Sequence, residues 1–116
     1  MESQKVVVER NIDSIRTVIS ELEMLFSIRW VTSERPVREA IAKILNGCSS
    51  EIIKIIMRDP DATTKANLHW INRTILEMSN NVKSNDNLRQ KEAFASLQSV
   101  ISRLTDVLVV LNQLLK

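Results

Sequence analysis

One glycine and two prolines in 116 residues leave few places for tight turns. A β-rich domain of this size needs many more, so long helices are expected instead. Tyrosine is absent, and the aromatic residues are two Phe and two Trp, which further disfavours a sandwich or barrel. The single cysteine, Cys48, excludes an internal disulfide framework and a cysteine-based zinc site, and it fits a reducing compartment. The single histidine, His69, excludes the di-iron centre of ferritin-like bundles, which takes a Glu-x-x-His from each of two helices. No Gly-rich loop is present to cradle a phosphate. The longest uninterrupted apolar run is Val107–Leu111, and the run Val6–Val8 is far too short for a signal-peptide core. Neither a membrane span nor a secretory leader is therefore expected, and the expected setting is the cytoplasm.

What is present is helical periodicity. Apolar content is 44%, in the globular range, and the formal charge of +2 from 16 basic and 14 acidic residues demands neither a nucleic acid nor a membrane as partner. From about Ser3 to Val31, the residues Val8, Ile12, Ile15, Ile19, Leu22 and Phe26 recur at alternating steps of four and three, widened by Val18 and Leu25. From there to about Arg58, Val37, Ile41, Leu45, Cys48, Ile52 and Ile55 keep the same period. A third stripe is Leu68, Ile71, Ile75, Met78 and Val82. The fourth holds its register through Phe94, Leu97, Ile101, Leu104, Leu108, Leu111 and Leu115, widened by Ala93, Val100, Val107 and Leu114. Stripes of this width suit helices in a bundle better than a two-stranded coiled coil.

Punctuation between the stripes is sparse but clear. Thr32 or Ser33 is the expected N-cap of the second helix, with Pro36 in its first turn. Asn46-Gly47 followed by Ser49-Ser50-Glu51 reads as a stop and restart, so the second segment is one kinked helix or two short ones. One helix is favoured because its length then matches its neighbours. Asp59-Pro60-Asp61 is a boundary, and the polar run Asn80 to Asn87 is another. Short turns between long helices make sequential neighbours antiparallel. The expected fold is a single all-α domain over 1–116, an up-down-up-down four-helix bundle.

No catalytic or metal-binding constellation emerges, no cofactor is implied, and the chain is not expected to be an enzyme. His69 in a bundle of this length invites comparison with histidine phosphotransfer domains. Those place Lys-Gly three and four residues after their His, where this chain has Asn72-Arg73. A phosphotransfer role is thus the least favoured of three readings. Asp59 to Thr63 lacks the glycine of a calcium loop, and the position of its last ligand is Trp70. Cys48 falls on the apolar face of its helix, as a structural cysteine does.

The leading expectation is a protein–protein interaction module, an adaptor or small subunit, with a homodimer as one form. Two groups of residues carry it. His69, Trp70, Arg73 and Leu76 lie beside the third stripe, and Trp and Arg are enriched at binding hot spots; an equal alternative is that Trp70 merely lies over a neighbouring helix. Val109 and Val110 lie outside the fourth stripe, as Val6, Val7, Met24 and Ile28 lie outside the first, which suggests a merged helix 1–helix 4 patch. The alternative partner is RNA or DNA at the end where Arg29, Arg35, Arg38, Lys83, Arg89 and Lys91 gather around Trp30, a possible base-stacking platform. Glu34, Glu39, Asp86 and Glu92 dilute that charge, as at an ordinary solvated bundle end.

Overall fold

A computed structural model describes residues 3–28, 30 and 34–116. Four helices follow one another: α1 (Gln4–Leu25), α2 (Arg35–Met57), α3 (Ala62–Lys83) and α4 (Asn87–Leu114). Three of them start on a side-chain cap, which satisfies one of the amides a helix leaves unpaired. Ser3 Oγ accepts from Val6 N at 3.3 Å, Asp61 Oδ2 from Thr64 N at 3.1 Å and Asp86 Oδ1 from Leu88 N at 2.9 Å. The expected caps Thr32 and Ser33 lie outside the described residues; Glu34 holds the N-cap position of α2 without a side-chain bond, and Pro36 sits in the first turn.

α2 is one uninterrupted helix of 23 residues, so Asn46-Gly47 does not stop it. Cys48, fully buried, and Ser49 follow directly, and packing on both sides of the glycine outweighs its weak helix propensity. The α2–α3 turn is tight. Asp59, just past the C-cap of α2, takes the left-handed conformation (φ 55°) that often ends a helix; its N–H donates to Ile56 O at 3.0 Å and its carboxylate receives Lys65 Nζ at 2.6 Å.

Each helix packs antiparallel to its chain neighbour, and α4 closes the ring against α1, within 47 × 22 × 21 Å. One end carries the α1–α2 and α3–α4 connections, and the opposite end carries the α2–α3 turn, Gln4 and Leu114. A single apolar cluster runs through all four helices. The α3 stripe is buried in full. The α1 and α4 stripes are turned from the expected centre. In α4 the buried line is Ala93, Leu97, Val100, Leu104, Val107 and Leu111, while Ile101, Leu108 and Leu115 are half-buried and Phe94 is 38% exposed. In α1, Val18 and Leu25 are central, Ile19 is half-buried and Phe26 is 41% exposed. A helix at the corner of a four-membered ring points the bisector of its two contacts inward. Residues on the seven-residue line from Phe94 therefore sit on a flank, and Phe94 meets Phe26 across the α1–α4 edge at 5.6 Å. Val37 is likewise exposed at the start of α2, and the neighbouring Arg38 is buried in its place.

Candidate functional site

The end expected to attract nucleic acid is built for packing. Arg38 is only 6% exposed. Its Nη1 donates to the carbonyls of Val82, Lys83 and Ser84 at 3.4, 3.2 and 2.6 Å, and its Nη2 to Asn85 Oδ1 at 3.0 Å. These are the carbonyls left over at the end of α3, where the helix dipole also favours a cation. Gln90, also buried, donates Nε2 to the same Ser84 carbonyl at 2.8 Å. Trp30 is 2% exposed; its Nε1 donates to Leu25 O at 3.1 Å and its ring stands edge-on to Phe94 at 5.5 Å. Trp30 therefore presents no face for a base, and the Arg38 guanidinium is spent on α3. Arg35 pairs with Glu39 at 3.1 Å on the surface. Lys83, Arg89 and Lys91 remain exposed, and Arg29 lies outside the described residues. This corrects the expectation of a basic cluster around a stacking tryptophan.

The α3 group is divided. His69, Arg73 and Leu76 are exposed, but Trp70 is half-buried and packs on the core. At about 100° per residue, Trp70 and Leu76 point about 120° apart around the helix. The reason is on α4: the Arg103 guanidinium lies over the Trp70 ring, 4.1 Å from its centre, and Arg103 Nη1 donates to Asn67 Oδ1 at 3.4 Å. A cation held over an indole is attracted by the ring face. Trp70 thus belongs to the α3–α4 groove and not to the outward face of α3.

That groove has a volume of about 540 Å³ and is lined by Trp70, Ala95, Gln98, Ser99, Ser102, Arg103 and Asp106. It is open because α4 presents small side chains there. Farther along the same side of α4 stand Val109, 52% exposed, and Val110. The expected merging with α1 does not occur. Val6 and Met24 are exposed near opposite ends of α1, about 27 Å apart at 1.5 Å per residue, and the exposed residues between them include Glu9, Arg10, Asp13, Arg16 and Glu23. Val7 and Ile28 are half-buried. Exposed apolar side chains occur on all four helices, Met57 of α2 being the most exposed, and α4 carries Leu88, Phe94, Val109, Val110 and Leu114. Both Phe26 and Phe94 continue the heptad register and are nevertheless exposed; the one signal for this in the sequence is that each stands at the end of its stripe.

Two other features are structural. Cys48 Sγ donates to Glu21 Oε2 at 3.2 Å. Burial, then that hydrogen bond, then the charges of Glu21 and Glu51 push the thiol up to about 12, which leaves almost no thiolate at neutral pH. At the opposite end a cleft of about 140 Å³ lies between Val7, Val8, Leu111 and Leu114, where Arg58 Nη1 donates to the buried Asn11 Oδ1 at 3.0 Å. Among the described residues no group of three or more His, Cys, Asp or Glu side chains is placed to hold a metal.

Comparison with known protein families, curated proteins and solved structures finds no match. One property of α4 adds to the geometry. Although its longest apolar run is short, the helix as a whole is long and apolar enough to cross a membrane by length and composition, and less than a third of its most apolar 18-residue stretch is buried in the bundle. In this fold that helix forms one wall of a four-helix ring, with Arg103 and Asp106 exposed on its outer side.

Proposed function

We propose that this chain is a non-enzymatic protein-binding module, an adaptor or small subunit that docks through the outer face of α4. The supporting observation is the side of α4 turned away from the bundle, where the exposed Val109 and Val110 stand beyond the groove at Trp70. Val109 and Val110 supply apolar contact, and the groove beside Trp70 supplies a concave surface to receive a partner. A surface that combines apolar protrusions with an adjacent groove fits association better than catalysis. A photo-crosslinking side chain placed at Val109 in the full chain, in cells, tests this. An adduct of discrete mass at Val109, but not at the exposed Lys43 on α2, is expected. Equal labelling at both positions, or none at either, would sink the reading.

A further inference from the structure

The outer face of α4 is self-complementary, and we infer that its occupant is a second copy of this chain, packed antiparallel, α4 against α4. The inference rests on the proposed function above and names its partner. Ala95, Ser99, Ser102, Asp106 and Val109 follow at steps of four and three and are all exposed, so they form one stripe along the helix. The stripe divides into a groove half (Ala95, Gln98 and Ser99 beside Trp70) and a ridge half (Val109 and Val110). Between the halves stand Arg103 and Asp106, opposite charges one turn apart. They do not pair with each other: Arg103 is held over Trp70 and bonded to Asn67, and within the described residues the Asp106 carboxylate has no hydrogen bond or ion pair.

A two-fold axis across α4 midway between Ser102 and Asp106 answers all of these at once. It sets Val109 of the second copy opposite Ser99 and Val110 of the second copy opposite Gln98, so each ridge enters the other groove. It also sets Asp106 of the second copy opposite Ser102 and beside Arg103, giving a hydroxyl–carboxylate and a guanidinium–carboxylate contact twice over. The small side chains let the two helix backbones approach. Such a contact is isologous and closed, so it ends at two copies.

Light scattering over a concentration series, at low and moderate salt, reads the state of the full chain, whose single-copy mass is 13.3 kDa. Twice that mass is expected for the natural sequence. Asp106→Arg and Arg103→Glu each place like charges across the axis and should each return the mass to a single copy. Mixing the two variants restores both pairs, so the mixture should recover the doubled mass. Circular dichroism on each variant checks that the exposed substitutions leave the helices intact. A single-copy mass for the natural sequence at every concentration, or a doubled mass that neither variant disturbs, overturns the inference. The crosslink at Val109 keeps this separate from the broader proposal: an adduct with a different protein defeats the second copy while leaving α4 as the docking face.

Discussion

At the scale of single residues, the buried polar groups decide most. Cys48 sits in the core between α1 and α2 with its proton committed to Glu21. Its thiol rises from 9.0 to about 12 on folding, so the folded chain holds that proton at a pH where the unfolded chain has lost it. Stability is therefore unaffected below about 9 and falls as pH rises from there towards about 12. Chemical denaturation across this window should show a shallower fall in Cys48→Ala, and in the natural chain a maleimide at pH 8 should label Cys48 only as fast as the bundle opens. Thr64 is the opposite case: its hydroxyl is buried without a partner among the described residues. Thr64→Val keeps the shape and removes the orphaned group, so the thermal midpoint should rise, by about 1 kcal/mol in stability. A fall would mean that the hydroxyl has a partner in solution.

At the scale of elements, periodicity specified more than the ends did. All four helices, the boundary at Asp59-Pro60 and the fully buried apolar residues of α3 were readable from spacing, because burial on one side of a helix imposes a period on the sequence; the buried Thr64 and Ser79 of α3 were not. The centre of the α1 and α4 stripes was not, because a ring of four helices turns each one between two neighbours and spacing alone does not say which line points along the bisector. The roles of Arg38 and Trp30 were illegible for a related reason. Each is tied to groups far away in the chain or at a helix end: Arg38 to carbonyls 44 to 46 residues on, Trp30 to the last turn of α1. A charged and an aromatic residue near a turn look free until the chain comes back to meet them. The α4 surface was half legible, Val109 and Val110 from their place outside the stripe; the groove was not, because it forms where Arg103 of α4 lies over Trp70 of α3, a contact between helices that spacing does not specify. Gly47 looked like a break and is a continuous part of α2; a Cβ placed on it meets nothing within 4 Å. Gly47→Ala should therefore stabilise the protein by about 0.5–1 kcal/mol, through reduced freedom of the unfolded chain and better helix propensity. Urea denaturation measures it, and a loss of stability would mean that α2 needs the glycine to bend.

At the scale of the whole molecule, the first and last helices close the ring, so the bundle stands or falls with a contact between segments far apart in sequence. The Phe26–Phe94 and Trp30–Phe94 edges lie at that closure. Trp70 reports on the α3–α4 pair instead, which is local in sequence. The two tryptophans therefore watch different parts of one continuous core. With Trp70→Phe, the remaining Trp30 should emit from a dry site and resist iodide; with Trp30→Phe, the half-buried Trp70 should be more accessible to it. The second variant also loses the Nε1 bond to Leu25 and some core volume, which should cost about 1–3 kcal/mol. Because one apolar cluster joins all four helices, neither half has a core of its own to retain, and unfolding should be cooperative. Within each variant the fluorescence and far-ultraviolet dichroism midpoints should coincide. A Trp30 signal that changes before the helical signal would show α1 peeling from α4 first and leaving a three-helix remnant, and the ring would then be two cooperative units instead of one.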